Sequence, residues 1–524
     1  MPKRRRAKAL QISVGTPPSR LDIGSEADLI SVTRPEEEAI QLEQWTFNLK
    51  GYIRVPLRIG LGPRNDGTDG TELHVPPRAV GLSSGDWEYI GIAPNPAVSI
   101  YANFGNPLVS ANIIYGTSTT IDAGYDNLDQ IGGIRQAYVT LKFPDAFGET
   151  GGLALTAGAF SNRYGSAGRE QVSSGYYGTY LFGRTHAVGE TLTASVDLSE
   201  STELIVEHGV GAKLDVVPFL APSERNEFGT PEQDFFKGTG PVPQGSTFLH
   251  HAHAGLILDG WVRLAAHYMT SWSPNDNSFS RNGRNETSRL TVTGAEIHLD
   301  DEATGNGFLG FSHIDGKNLM PLGDAIQVLH GSDGRGLKEE YFGGKERIAN
   351  FTPTNDDGTI DTLLFQYVLK LAPFFEQLPF GARDMSLGLY SMLNHAKSPK
   401  TDPSDPLQLE IDDWKLKFGA EVQLALFKYA IFGFRADHVQ PCLSCRRGAP
   451  DSPGGPPSFV TDSSDAFTAI TPSVIFHTTW KTKEYVILNY THYFLGPEAY
   501  PSSPYSDYTK ADKDQFMLAV AMSF

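Results

Sequence analysis

The chain has almost no cysteine and no long apolar run, and each absence removes a class of protein. Its 524 residues include two cysteines, too few for a disulfide framework or a cysteine-rich metal site. No stretch approaches the ~18 consecutive apolar residues of a membrane-spanning helix. Helical membrane proteins are therefore excluded. Membrane proteins built from strands are not, because each of their segments carries a much weaker signal.

Basic charge is also scarce. Lys and Arg total 43 against 61 Asp and Glu, which gives a net charge of −18. Nucleic-acid binding needs a basic face, so a nucleic-acid partner is excluded. Only 40% of the residues are hydrophobic, whereas 54 are glycine, 21 tyrosine and 30 phenylalanine. The length alone would suggest about three or four packed domains, but this apolar content is low for that many hydrophobic cores.

What the sequence does contain is strict alternation of apolar and polar residues. In TFNLKGYIRVPLRIGLG, every odd position from Phe47 to Leu61 is apolar or glycine. Successive side chains of a strand point to opposite faces, so this pattern predicts a strand with one apolar face. WKLKFGAEVQLAL, FLHHAHAGLIL and WVRLAAHYMTSW alternate in the same way, and Asp259-Gly260 between the last two predicts a tight hairpin.

About eighteen such segments follow one another, and no helical period competes with them. They are expected to begin near residues 46, 97, 108, 133, 151, 188, 202, 247, 261, 288, 306, 361, 384, 411, 428, 466, 484 and 514. Short turns, such as 198–201, alternate with long polar connections, such as 212–246 and 315–360. An up-and-down membrane barrel has this alternation, with short periplasmic turns and long external loops. We predict an all-β, transmembrane, antiparallel barrel of about 18 strands, with 16 as the alternative.

Two segments of the chain are informative beyond their alternation. The chain ends DKDQFMLAVAMSF, an alternating strand closed by Phe524, which resembles the carboxy-terminal signal read by the barrel assembly machinery. IRQAYVTLKFPD followed by LALTAGAFSNRYG resembles the paired strands that precede the constriction loop of trimeric porins. The strand count resembles the 18-stranded sugar-type porins more than the 16-stranded general ones.

The resemblance implies a function and a location. It implies a homotrimer in the outer-membrane lipids of a Gram-negative bacterium, acting in ion transport and passive diffusion of small hydrophilic solutes, with anions or sugars as candidates. It also implies that segment 162–187 folds into the barrel as a constriction loop, although a solvated surface loop has a similar composition. The loop residues expected to hold anions or stack on sugars are Arg163, Tyr164, Arg169, Tyr176, Tyr177, Tyr180 and Arg184.

The polar face of the strands supplies further pore candidates. A ladder of basic side chains on the first strand would attract anions, although any water-filled barrel lines itself with polar residues. Three histidines across the Asp259-Gly260 hairpin would bind a metal, titrate and gate the channel, or merely line it. The residues expected to line the pore are Lys50, Tyr52, Arg54, Arg58, His251, His253, Arg263 and His267.

The two cysteines and the amino-terminal segment add little. Cys442 and Cys445 form a lone Cys-x-x-Cys in an expected external loop, where a local disulfide is favoured over a redox or zinc site. MPKRRR is a basic start, but no uninterrupted apolar stretch of ~7–15 residues follows it, so no signal peptide is visible. We expect residues 1–44 to be disordered or to result from a misplaced start, and residues 45–524 to form the barrel.

Enzyme signatures are missing. The chain has no phosphate-binding loop, no His-Glu-x-x-His and no Gly-x-Ser-x-Gly. TNDDGTID is not a calcium loop, because Pro353 stands where the first carboxylate ligand would be. We therefore expect no enzymatic activity, no cofactor and no metal, although a rim phospholipase is not excluded by sequence. The rival hypotheses are a non-conducting surface barrel that acts in adhesion or partner binding, and a soluble secreted protein of many strands.

Overall fold

The computed structural model describes eighteen strands and the short connections beside them. The described residues are 45–61, 97–119, 130–163, 184–214, 246–273, 288–301, 303–317, 358–399, 411–440, 467–478, 484–495 and 514–523. The connections that the structure describes contain three single-turn 3-10 helices, at Gly148–Thr150, Ala372–Phe374 and Pro379–Gly381. Within these ranges, no helix is long and apolar enough to cross a membrane.

Every expected strand is present, and most begin within a few residues of the expected position. The strands are β1 (Thr46–Leu61), β2 (Ala97–Gly105), β3 (Val109–Thr119), β4 (Gln130–Phe143), β5 (Gly151–Arg163), β6 (Arg184–Ser199), β7 (Thr202–Leu214), β8 (Ser246–Leu258), β9 (Val262–Ser273), β10 (Ser288–Asp301), β11 (Gly305–Lys317), β12 (Gly358–Lys370), β13 (Asp384–Ser398), β14 (Ile411–Phe427), β15 (Ala430–Gln440), β16 (Phe467–His477), β17 (Tyr485–Leu495) and β18 (Asp514–Ser523).

The strands form one closed antiparallel sheet. Each strand pairs with its neighbours in the chain, from β1 with β2 through to β17 with β18. The last strand then pairs with the first, in a register that runs from Tyr52 opposite Ser523 to Leu61 opposite Asp514. Every strand therefore has two partners and the sheet has no open edge, which is the defining property of a barrel. The predicted 18-stranded barrel is confirmed, and the 16-stranded alternative is wrong.

Alternation along each strand separates a crowded face from an open one. On β11, buried residues such as Phe308, Ser312 and Ile314 alternate with the exposed Leu309 and Phe311. In a closed sheet the concave inner face is the crowded one, so the buried residues point into the barrel. The largest fully buried apolar side chains, which belong to this inner face, are Ile205, Leu249, Met269 and Ile314.

The outer face carries many exposed apolar side chains. Phe47, Leu49, Phe104, Ile134 and Leu192 all have half or nearly half of their area or more exposed. Large apolar side chains in such numbers are unfavourable in water but are the expected surface of a barrel embedded in lipid. Exposed phenylalanines mark the short-turn end of this surface, at Phe143, Phe147, Phe374, Phe375, Phe380 and Phe427.

One short turn shows how the sequence sets the strand pairing. Asp259 and Gly260 both have positive φ, 49° and 77°, and with Trp261 they form a three-residue connection, because Leu258 pairs with Val262. The Trp261 amide donates to the Leu258 carbonyl oxygen (3.2 Å) and closes the turn. Its geometry places His253 directly opposite His267 on the next strand. The turn predicted from Asp-Gly therefore assembles part of the candidate site.

Candidate functional site

Polar side chains gather on the inner face of four consecutive strands. We call this group the inner cluster, and it spans β7 to β10. In the strand register, His253 lies opposite both Glu207 on β7 and His267 on β9. All members are buried, with at most 7% of their area exposed. The inner cluster consists of Glu207, His251, His253, His267, Glu296 and His298.

The Glu296 carboxylate is the centre of the inner cluster. Its Oε1 lies 3.5 Å from His253 Nε2 and 3.4 Å from His298 Nε2, and its Oε2 lies 4.0 Å from His267 Nδ1. The other nitrogen of His253, Nδ1, lies 3.8 Å from Glu207 Oε2. The imidazole of His253 therefore stands between two carboxylates, and ionisable groups run continuously across the four strands.

Two glycines make room for the histidine rings. A Cβ at Gly209 would lie 2.0 Å from His251 Nε2, and a Cβ at Gly294 would lie 2.4 Å from His267 Nε2. Each ring thus occupies the space above a residue that has no side chain. On the far side of Gly209, Thr191 Oγ1 and His251 Nε2 are 3.3 Å apart and share a hydrogen bond. Glycine at these positions is required by close approach of the rings.

A second inner group lies on β13 to β15 and is centred on Arg435. Its Nε donates to Asp437 Oδ1 (2.9 Å) and to the hydroxyl oxygen of Tyr390 (3.0 Å). Its guanidinium carbon is 5.1 Å from the centroid of the Tyr390 ring. Glu421 lies opposite Arg435 in the register and accepts a hydrogen bond from Gln423 Nε2 (2.8 Å). This is a buried, paired cation within a barrel wall, a position at which ionisable residues usually have a function.

The structure brings together some of the residues predicted to line the pore. His251, His253 and His267 belong to the inner cluster, and Arg263 lies opposite His298 in the register. Lys50 lies on β1 and is exposed. Tyr52, Arg54 and Arg58 occupy alternate positions of β1, opposite Ser523, Ala521 and Met517. Their side chains lie outside the described part of the structure.

The strands that flank the expected constriction loop extend further than predicted. Arg163 is the last residue of β5, Arg184 is the first residue of β6, and the two are paired in the register. They therefore belong to strands and not to the loop, because the ladder between β5 and β6 extends further than the alternation alone suggested. The remaining predicted loop residues, Tyr164, Arg169, Tyr176, Tyr177 and Tyr180, lie outside the described residues, as do residues 1–44, Cys442, Cys445 and Phe524.

Sequence reasoning overlooked four residues that the structure places at these sites. Glu296 and His298 were missed because β10 follows a long connection, so its register against β9 is not readable from a turn. Arg435 and Asp437 carry a signal that was available. In AIFGFRADHVQ they fall on the face opposite Phe432 and Phe434. Among the described residues, no group of three or more His, Cys, Asp or Glu has the geometry to hold a metal ion.

Comparison with known proteins finds similarity only at the level of structure. No family model matches the chain, and no curated protein matches it in sequence. The outer membrane channel DcaP of Acinetobacter baumannii is 10% identical, with a TM-score of 0.41, over 92% of this chain and 98% of that one. OmpF of Salmonella typhi is 11% identical, with a TM-score of 0.36, over 91% and 97%. OccK5 (OpdH) of Pseudomonas aeruginosa is 9% identical, with a TM-score of 0.38, over 92% and 98%.

These TM-scores are all below 0.5, so the assignment of the fold rests on the strand pairing of this chain and on the apolar outer face of its sheet. A closed, even-numbered antiparallel barrel with an apolar exterior and short turns at one rim defines a class. The described strands have the architecture of a transmembrane β-barrel. Its fold is porin-like, with eighteen strands in one closed sheet.

Proposed function

We propose that the barrel is an outer-membrane porin that lets small hydrophilic solutes cross by passive diffusion. The observation that carries this proposal is the contrast between the two faces of the wall. The outer face presents exposed apolar side chains, whereas the inner face presents charged and hydroxyl-bearing side chains on strand after strand. A polar inner wall is what a solute needs in order to exchange hydration water for protein contacts.

The inner wall favours uncharged, hydroxyl-rich solutes such as sugars over simple anions. Glu207, Glu296 and Glu421 stand among the histidines and Arg435, so the described wall carries both signs of charge. Carboxylates accept hydrogen bonds, whereas imidazole and guanidinium groups donate them, and together they match a hydroxyl, which does both. The basic residues of β1 and of segment 164–183 remain candidates for anion binding. We further propose a homotrimer, inserted by the barrel assembly machinery through the Phe524 strand.

One observation favours a second candidate function. The inner polar residues are buried, and His251, His253 and Glu296 have at most 2% of their area exposed. A wall whose side chains are covered to this extent supports a barrel that does not conduct and that acts through its external connections, in adhesion or partner binding.

Solute flux decides between the two candidates. Liposomes containing the refolded protein are transferred into isotonic solutions of sugars of increasing size, and swelling is followed by light scattering. The porin proposal predicts swelling that slows as the sugar becomes larger. Swelling no faster than in protein-free liposomes, for a barrel shown to be folded by its heat-dependent gel mobility, would contradict it and support the non-conducting barrel.

A further inference from the structure

The outer face of β6 to β12 carries polar side chains among its apolar ones. Each is separated by an even number of residues from an exposed apolar residue of its own strand, as Glu190 is from Val188 and His313 is from Phe311. Alternate residues of a strand share a face, so these polar side chains point outward. We call this group the polar sector. It consists of Glu190, His208, His250, Tyr268, Thr270, Thr293, His313 and Asp361.

The polar sector lies at the level of the apolar band. Counted from the short-turn end of each strand, its members stand between six residues up, at His208, and nine residues up, at Glu190. Phe248 stands ten residues up and Val188 eleven, and both are exposed on the same face. With ~3.3 Å per residue and a strand tilt of ~35–45°, six to nine residues correspond to a height of about 14–24 Å, within a band about 25 Å tall. The polar side chains therefore face outward where a membrane barrel meets hydrocarbon.

Hydrocarbon offers these side chains no hydrogen-bond partner. The pair formed by His313 Nδ1 and Asp361 Oδ1 (2.7 Å) has 41% and 40% of its side-chain area exposed. His208 and His250 share a hydrogen bond between their Nε2 atoms (2.8 Å), which leaves the Nδ1 atom of each ring for another molecule. Glu190 is exposed, and no described residue forms a hydrogen bond or an ion pair with its carboxylate. Ionisable groups at membrane depth are costly unless protein or water surrounds them.

An apolar depression of about 470 Å³ adjoins the polar sector. It contains three alanines that are neighbours in the register, since Ala254 lies opposite Ala266 and Ala266 lies opposite Ala295. Small residues let another wall approach closely, and small residues beside polar ones are typical of contacts between proteins in a membrane. The larger side chains around the depression include Leu256, Leu264, Ile297, Leu309 and Phe311.

The outer face of β5 shows the contrasting case. Every second residue from Leu153 to Ala159 is apolar, so lipid alone satisfies this part of the wall. What distinguishes β6 to β12 is that polar groups and an apolar depression lie side by side. Two other polar pairs face outward away from the depression, namely His438 with Thr468 and His492 with Asp514.

The polar sector matches a second copy of this chain in charge and in size. Carboxylates stand at its two edges, Glu190 on β6 and Asp361 on β12, and the imidazoles of His208 and His250 stand between them. Two copies placed side by side with a lateral offset therefore bring a carboxylate of one to an imidazole of the other. Seven strands about 4.8 Å apart and a band about 25 Å tall give about 800 Å², the area that each partner contributes to a stable interface.

We propose that copies of this chain associate in the membrane through the outer face of β6 to β12. This rests on the proposed homotrimer and on the proposed outer-membrane location. Each copy in a ring of three faces two neighbours in directions about 60° apart, so one continuous sector meets both. Large apolar side chains of the neighbour fill the alanine depression, and its polar sector supplies hydrogen-bond partners. Lipid chains would fill the depression but would leave the polar groups without partners.

The test identifies what touches this face. A photoreactive benzophenone side chain replaces Tyr268 in the polar sector or, as the matched control, Tyr115, which is exposed on the outer face of β3. Each tyrosine stands six residues up from the short-turn end of its strand. The purified, refolded protein is illuminated in phosphatidylcholine vesicles, and the adducts are identified by mass. Position 268 is expected to give about tenfold more protein–protein adduct than position 115, which is expected to give lipid adducts.

Other results would overturn the proposal. Lipid adducts alone at position 268 would mean that no second copy covers this face. Protein–protein adducts at position 115 in equal or greater yield would place the contact elsewhere on the wall. Neither variant changes the size of its side chain greatly, so the comparison does not depend on a variant that disrupts the fold.

A second measurement fills the depression. Ala266→Trp is expected to lower the fraction of oligomers seen by native mass spectrometry about tenfold, because the indole occupies the space that the neighbour needs. Ala102→Trp is the matched control, since Ala102 lies two residues from the exposed Phe104 on the outer face of β2 and should leave the oligomers unchanged. Unchanged oligomers in Ala266→Trp, with folding checked by heat-dependent gel mobility, would contradict the proposal.

Conduction is tested separately on the same vesicles. Cross-linked copies without sugar-driven swelling would contradict the proposed porin function and leave the interface standing. Swelling without protein–protein adducts would overturn the interface and leave the porin function standing.

Discussion

At the scale of single residues, the inner wall is organised by close approach between rings and glycines. The sequence indicated that His251, His253 and His267 share a face, because the Asp259-Gly260 turn fixes their register. It did not indicate that the ring of His251 lies over Gly209 and the ring of His267 lies over Gly294. A glycine in a strand is compatible with a bulge, a bend or a close contact, and the sequence does not distinguish these three possibilities.

Substitution of these two glycines by alanine should lower the free energy of unfolding by different amounts. The atoms nearest to a Cβ at Gly209 belong to the side chains of His251 and Thr191, whereas the atom nearest to a Cβ at Gly294 is the backbone oxygen of Phe311, at 2.3 Å. We expect Gly294→Ala to reduce the free energy of unfolding by about 1–3 kcal/mol and Gly209→Ala by less, since a ring moves more easily than a strand. Urea titration of the vesicle-inserted protein measures both. Equal losses would contradict the larger cost expected from the contact between Gly294 and the backbone of Phe311.

The ion pair of Arg435 provides a second test at this scale. Arg435→Met leaves Asp437 buried without its cation partner, and the expected loss is about 3–5 kcal/mol. The double variant Arg435→Met, Asp437→Leu removes both charges and should recover most of that loss. The same urea titration measures each variant. A double variant as unstable as the single one would show that the pair contributes through packing and not through charge.

At the scale of elements, strand existence was predictable from sequence but strand ends were not. Alternation places apolar residues on one face, and this holds for every strand. The largest displacement is at β6, which was expected near residue 188 and begins at Arg184. The ladder between β5 and β6 continues past the apolar band into polar sequence, where alternation no longer reports on pairing. For the same reason Arg163 and Arg184 were placed in a loop.

The free-energy cost of an arginine on the lipid face should depend on its depth in the membrane, so it should differ between the middle of a strand and its end. Leu389 is exposed midway along the outer face of β13, and Phe427 is exposed at the short-turn end of β14. Arginine on the lipid face costs about 2–4 kcal/mol at the bilayer centre and about 0–1 kcal/mol near its boundary. We therefore expect Leu389→Arg to lower the free energy of unfolding in vesicles far more than Phe427→Arg. A reversed order would contradict the assigned membrane level.

At the scale of the whole molecule, closure of the sheet was only indirectly visible in the sequence. An even number of strands and a terminal alternating strand were consistent with a ring, but pairing of β1 with β18 joins residues at opposite ends of the chain. The inner cluster depends on the same property. Its carboxylate on β10 meets histidines on β8 and β9 because curvature turns the inner side chains of successive strands toward one another.

The most direct measurement of the central claim is single-channel conductance. The refolded protein is added to a planar lipid bilayer, and current is recorded at constant voltage. A passive channel predicts stepwise openings with a linear current–voltage relation, and a homotrimer predicts that the steps come in threes. A protein that is folded and inserted but carries no current above that of the bare bilayer would contradict the channel, and the polar inner wall would then serve a closed barrel.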